Sequence, residues 1–325
     1  MSKAEIVIIG TGAWGTALAM IYATQGRRTV LVARDAARAA RLRTARINPR
    51  LPGFTLPATL DIAADPPHAP ITLLCPPFQH LRETLSRLPP GDGTIVLCCK
   101  GVERGTALLG PEIIARSGID HPVALLTGPN FAHEIAACQP AAAVLAMAAA
   151  PERHRLIAAL ATPQFRLYGS ADLIGAALGG AAKNVIALAA GAVIGAGLGE
   201  NARAALVTRG LAEIARLAVA LGGSAETIAG LAGLGDLILT ATGNASRNYR
   251  AGLALGRGQP APTPNEATDD SVVEGIETAP ALLARARSVG CTMPITEAVT
   301  TLLAGQTSLA TSIEHLMRRH LRDEG

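Results

Sequence analysis

The sequence predicts an α/β protein: an N-terminal doubly wound parallel sheet of Rossmann type, followed by an all-α domain. Three observations carry that prediction. A glycine motif, Gly10-Thr11-Gly12-Ala13-Trp14-Gly15, lies between a β-rich apolar run at 4–9 and a helical pattern at 16–25. Short β-rich runs then alternate with helix-like stretches as far as Tyr168, the pattern of strands covered on both faces. Beyond Tyr168 only helical patterns remain, which sets a boundary near 170–180 and divides the chain into 1–175 and 176–325.

The motif occurs in the context that gives it meaning. Its first glycine permits a tight turn, its second lets backbone approach a pyrophosphate, and its third lets helix and strand pack closely. The helix that follows offers free N–H groups and a positive dipole end to phosphate. Residues 1–175 therefore read as a dinucleotide-binding domain. A second strand at 29–33 ends in Arg34-Asp35. An acidic residue there holds the ribose 2′-hydroxyl of NAD, whereas an arginine accommodates the 2′-phosphate of NADP. Arg34 tilts the balance toward NADP and Asp35 leaves NAD open.

A helix at 36–46 and a Pro-containing connection at 48–57 follow, then strands at 71–75, 94–98, 123–126 and 141–146, with helices at 81–88 and 108–117 among them. Ligands in such sheets sit beyond the carboxyl ends of the strands. Cys75-Pro76-Pro77, Cys99-Lys100-Gly101 and Thr127-Gly128-Pro129-Asn130 all fall there. Phe78, Phe131 and Met147 are assigned to the core.

The helical half is organised around 175–199, a Gly/Ala-rich run holding Lys183 and Asn184 near its middle. The chain has three lysines, Lys3, Lys100 and Lys183, against 26 arginines, since Lys and Arg together number 29. Arginine cannot be deprotonated, whereas a buried lysine exchanges its proton. Lys183 thus occupies the type of position at which a lysine becomes a proton donor, and Lys100 is a second place where an ammonium is wanted. Further helices are expected at 202–221, 225–232, 279–289 and 296–303, with a charged tail helix ending in Arg318, Arg319 and Arg322, and a surface loop at 256–268. Asp236, among apolar residues, is the natural complement to Lys183. Ser246-Arg247-Asn248 reads as a loop running into a helix N-terminus, suited to a phosphate.

Composition excludes several classes. With 49% hydrophobic and only 2% aromatic residues, the cores must be Ala, Leu, Ile and Val. The net charge of +4 comes from scattered arginines without interleaved aromatics, which argues against a nucleic-acid surface and fits small anionic substrates. Five cysteines without CxxC or Cys/His metal spacing read as reduced, cytoplasmic thiols. Residues 175–199 are long enough to span a bilayer, but a central Lys183, Asn184 and seven glycines favour a buried helix.

Taken together, GTGAWGTALA, CKG at 99–101, GPNFAHE from Gly128, AAKNVIALAAG, GLGDLILT, SRN and VVEG at 272–275 resemble the bacterial NAD(P)-dependent glycerol-3-phosphate dehydrogenases, in that family's order and spacing. The resemblance implies reversible reduction of dihydroxyacetone phosphate to sn-glycerol 3-phosphate by a cytoplasmic homodimer. It implies that Lys183 is the proton donor and acceptor, assisted by Asp236 and Lys100. Substrate contacts are expected from Lys100, Gly128, Asn130, Lys183, Asp236, Ser246, Arg247 and Asn248. Cofactor contacts are expected from Gly10, Gly12, Ala13, Trp14, Gly15, Arg34, Arg50, Lys100, Ala132, Arg247, Val272 and Glu274, and no metal is expected. Ala13, Arg50, Asn130, Ala241 and Gly243 depart from the family's usual residues, which implies altered affinities before a changed reaction. A reductase of an unphosphorylated β-hydroxy acid or of ketopantoate would share the glycine turn and the lysine, but gives SRN no clear task.

Overall fold

A computed structural model describes residues 3–260 and 273–318. Elements alternate as β1 (Ile6–Ile9), α1 (Ala13–Thr24), β2 (Thr29–Val32), α2 (Ala36–Ala45), β3 (Asp61–Ala63), β4 (Ile71–Leu74), α3 (Leu81–Leu85), β5 (Thr94–Leu97), α4 (Gly110–Ala115) and β6 (Val123–Thr127). α5 (Ala132–Ala136), β7 (Ala141–Ala146), α6 (Ala150–Leu160) and β8 (Phe165–Ser170) complete the sheet. The rest is helical: α7 (Leu173–Gly195), α8 (Gly199–Ala220), α9 (Ala225–Ala229), a π-helical turn at Leu231–Gly235, α10 (Asp236–Ala241), α11 (Arg247–Gly256), α12 (Glu274–Ser288), α13 (Pro294–Leu303) and α14 (Leu309–Met317).

The strand order is β3-β2-β1-β4-β5-β6-β7-β8, the doubly wound arrangement about β1. β1, β2 and β4 are buried at nearly every position, as strands covered on both faces must be. One expectation needs correction: the sheet is not wholly parallel. β7 runs antiparallel to β6, with Leu125 opposite Ala146, and β8 is parallel to β7. The connection from 128 to 140 contains only the five-residue α5, which advances ~8 Å. That is too short to return the chain along a five-residue strand of ~16 Å, so it re-enters the sheet from the end at which it left. β3 and β8 lie outside the strands read from the sequence. β3 has three residues, Asp-Ile-Ala, and carries almost no β preference.

α7 is the axis of the helical half and is buried from Gly175 to Val193. It has the length and apolarity of a membrane span, but most of it is inside the protein, surrounded by α8, α10, α11 and α12. Small residues make this possible. A Cβ on Gly191 or Gly195 would fall on the carbonyl oxygen of Tyr249 or Leu253, and one on Gly252 or Gly256 on that of Leu188 or Ala192. The two helices therefore meet backbone to backbone. A single apolar cluster runs from one face of the sheet (Val7, Val32, Leu97) into α7 (Ala181, Val185, Leu188), and a second lies on the opposite face, against α1. α7 thus serves both as a cover of the sheet and as the centre of the helices. Residues 261–268 of the expected loop, Val272, Arg319 and Arg322 lie outside the described residues.

Candidate active site

The glycine turn is built as its motif requires. Gly10 has φ +119°, and a Cβ there would stand 2.5 Å from the Cys75 carbonyl oxygen. A Cβ on Gly15 would fall on the Gly10 carbonyl oxygen. Gly12 differs: it caps α1 in extended conformation, no side chain bonds the first turn, and nothing lies within 4 Å of where its Cβ would be. An uncapped helix N-terminus facing open space is what a dinucleotide pyrophosphate needs. Trp14, on the first turn, packs edge-on against Phe165 with its indole Nε1 buried and unbonded.

The turn is held from behind by a residue that the sequence did not single out. Asn48, 1% exposed, donates through Nδ2 to Thr11 O at 3.1 Å and Thr16 Oγ1 at 2.6 Å, and its Oδ1 accepts from the Arg50 N–H at 3.1 Å. Arg38 reinforces it, donating through Nε to Thr11 Oγ1 at 2.6 Å. A lone Asn in a Pro-containing connection carries no signal of such a task. At the end of β2, Asp35 is occupied: Oδ1 caps α2 through the Arg38 N–H at 2.7 Å, and Oδ2 pairs with Arg34 Nε at 3.2 Å. These bonds, the helix cap first, hold its carboxyl below the usual range. The Arg34 side chain is 72% exposed beside the turn.

Further along the same sheet edge, Lys100 follows β5 and Asp236 opens α10. Asp236 is completely buried and accepts from both lysines: Lys100 Nζ reaches Oδ2 at 2.5 Å, and Lys183 Nζ bonds Oδ1. Lys100 also donates to Gly128 O at 3.3 Å. Gly128 (φ +146°) brings that carbonyl over β7, where a Cβ would press to 3.0 Å from the Ala143 Cα. Gly180 lets the Lys100 stem lie against α7, since a Cβ there would be 3.3 Å from Lys100 Cδ. Burial pushes the Lys183 ammonium down to about 8; Asp236 opposes that shift and Lys100 adds to it.

A second polar cluster adjoins the first. Asn184, one residue from Lys183, donates through Nδ2 to Glu274 Oε2 at 3.2 Å and accepts from Asn248 Nδ2 at 2.9 Å. Asn248 Oδ1 accepts from the Gly275 N–H at 2.8 Å, so its amide ties α7, α11 and α12 together and keeps one free N–H. Burial raises the Glu274 carboxyl, and the charge of Arg247 is the largest effect opposing it. Ser246 caps α11, its Oγ accepting from the Tyr249 N–H at 3.2 Å. Arg247, the first residue of that helix, is exposed. Asn130 donates to Ala142 O at 3.2 Å, and its Oδ1 is buried and unbonded. Ala132 begins α5. Among the described residues no group of three His, Cys, Asp or Glu could hold a metal ion.

Strand order and glycine turn together define a dinucleotide-binding fold of the dehydrogenase type, extended by a helical half that closes over the carboxyl ends of its strands. Comparison with known proteins narrows the class. Residues 5–152 match the NAD-dependent glycerol-3-phosphate dehydrogenase N-terminus and residues 172–314 the C-terminus of the same family. The chain is 68% identical over 320 residues to a glycerol-3-phosphate dehydrogenase (NAD(P)+) of Acidiphilium cryptum, covering 98% of each. It is 48% identical over 322 residues to one of Gluconobacter oxydans, again covering 98% of each. A crystal structure of glycerol-3-phosphate dehydrogenase from Coxiella burnetii superposes with a TM-score of 0.90 at 35% identity, covering 98% of this chain and 99% of that one. The chain belongs to the NAD-dependent glycerol-3-phosphate dehydrogenase family.

Proposed function

We propose that the protein reduces dihydroxyacetone phosphate to sn-glycerol 3-phosphate, reversibly, using NADH or NADPH. The observation that carries this reading is the shared carboxylate of Asp236, which holds two ammonium groups at the edge of the sheet that bears the glycine turn. Gly10, Gly12, Gly15 and the first turn of α1, with Ala13 and Trp14, would hold the dinucleotide, Arg34 and Arg50 its adenine end, and Ala132 and Glu274 its other side. Open space at Gly12 and the uncapped helix fit that group. When bound, a reduced nicotinamide supplies hydride to the carbonyl carbon.

The chain's own groups do the rest. Ser246 and Arg247, with the first-turn N–H groups of α11, bind the phosphate, and the remaining Asn248 N–H adds to them. The carbonyl oxygen gains negative charge as it is reduced, and the Lys183 ammonium stabilises it and gives up a proton. Asp236 keeps that ammonium oriented. Lys100, bonded to Asp236 and Gly128, contributes a second positive charge, and Asn130 offers an unbonded acceptor to a substrate hydroxyl. In the reverse direction the neutral Lys183 amine takes the hydroxyl proton. The same reading divides the chain near 175, as the sequence suggests; α7 begins just before that point, capped by Asp172. A cytoplasmic homodimer is part of the same reading, which sedimentation of the purified protein tests.

Initial rates with dihydroxyacetone phosphate and with unphosphorylated dihydroxyacetone decide the substrate class. Turnover is expected with the phosphate ester alone at micromolar to millimolar concentration. Equal rates with both ketones would remove the phosphate role of Ser246 and Arg247.

A further inference from the structure

Cys75 and Cys98 are the residues that follow the register partners Leu74 and Leu97 at the carboxyl ends of β4 and β5. Neighbouring strands lie ~4.8 Å apart, inside the ~4.4–6.8 Å between Cα atoms that a disulfide accepts. Cys98 is buried in the apolar cluster against α1 and Cys75 packs on that same cluster, so both side chains leave the sheet on one face; Cys99 packs on the other. The Cys98 thiol donates to Val96 O at 3.6 Å. Cys75 is also the floor of the glycine turn. Its carbonyl oxygen would be 2.5 Å from a Cβ on Gly10, and its own Cβ 3.0 Å from one on Gly15.

We propose that Cys75 and Cys98 form a reversible oxidation site beneath the glycine turn, which a peroxide converts to a disulfide that weakens dinucleotide binding. The effect on binding rests on reading that turn as the nucleotide site. Cys75, half-buried, is the more open thiol and reacts first: its sulfur attacks a peroxide oxygen, the O–O bond breaks, and a sulfenic acid and water form. The Cys98 sulfur then attacks the sulfenic sulfur, and its proton passes to the departing sulfenic oxygen. The S–S bond forms, the S–O bond breaks and a second water leaves. Two thiols have lost two electrons and two protons, and one peroxide has been reduced. A disulfide fixes its Cβ atoms at ~3.5–4.5 Å and its central torsion at about ±90°, so the bond re-aims the Cys75 side chain toward Cys98. Gly10, seated on the Cys75 carbonyl, and Gly15, seated against the Cys75 Cβ, take up that change.

The test compares intact mass and NADH and NADPH titrations before and after hydrogen peroxide, in protein carrying Cys138→Ser to remove the exposed thiol. Oxidation is expected to remove two hydrogens and to weaken binding at least about tenfold, ~1.4 kcal/mol, with recovery in dithiothreitol. Cys98→Ala, or Cys98→Val should the smaller side chain unsettle the core, is expected to keep its affinity after peroxide. A disulfide with unchanged affinity, no disulfide, or an equal loss in the Cys98 variants would overturn the proposal. Reduced protein that binds neither nucleotide overturns the dinucleotide reading instead, and shows it before oxidant is added.

Discussion

Lys183 Nζ bonds one oxygen of Asp236 across 53 residues of sequence, and that carboxylate, with no exposed surface, gives its other oxygen to Lys100. One negative charge is shared by two positive ones, which suits the proposed place at which a reduced carbonyl builds negative charge. Burial and Lys100 make the Lys183 proton easier to lose, while Asp236 retains it. These opposing effects set the pH range in which the lysine works.

With Lys183 pushed down to about 8, the pH dependence has a definite sign. Ketone reduction uses the ammonium, so its rate is flat below that value and falls about tenfold per unit above it. Oxidation of glycerol 3-phosphate uses the amine, so its rate climbs toward pH 8 and levels beyond. Initial rates in both directions from roughly pH 6 to pH 10 check this.

Asp236→Asn leaves two ammonium groups facing each other without the carboxylate that bonds both, and only the charge of Glu274 still acts on them. Removing one partner of a buried pair costs about 3–5 kcal/mol, measurable as a lower urea midpoint. Losing the opposite charge also disfavours the Lys183 ammonium. The alkaline fall in reduction rate should therefore begin at lower pH than in the wild type.

Gly12→Ala separates folding from cofactor binding. Its Cβ meets no protein atom within 4 Å, and its φ of −70° suits alanine. The expected outcome is an unchanged melting temperature with NADH and NADPH affinities weakened at least about tenfold, because the added methyl occupies the path of the pyrophosphate. Calorimetric titration beside a thermal melt reads both.

Arg34→Ala tests the adenine end. The side chain is 72% exposed and carries the cation that would meet a 2′-phosphate, while Asp35 is occupied by the α2 cap and by Arg34 itself. The KM for NADPH should rise about tenfold or more, the value of one charge-assisted contact. The KM for NADH should change little. Initial rates with each cofactor measure the difference.

How much of this was legible in the sequence depends on how local each signal is. The glycine turn, β1 and α1 are contiguous, and their motif states the geometry directly. Lys183 stands out because a cation in a Gly/Ala run must be paired or functional, whereas the partner of that run's small residues, α11, shows only in the fold. The antiparallel return into β7 was hidden because strand direction depends on the length of the connection and not on strand composition. The bonding roles of Asn48 and Asn184 are hidden for another reason: a buried amide is defined by partners such as Thr16, Glu274 and Asn248, which are 32, 90 and 64 residues away. The role of Asp236 was read from its apolar neighbours, but that one carboxylate serves both lysines emerges only in three dimensions.

Single-turnover reduction of dihydroxyacetone phosphate by Lys183→Met, with NADH affinity measured on the same sample, shows whether the Lys183 ammonium is the proton donor. The expected result is a rate lowered at least about a hundredfold, the usual cost of losing one transition-state donor, with dinucleotide affinity retained. Wild-type turnover by that variant would contradict the account.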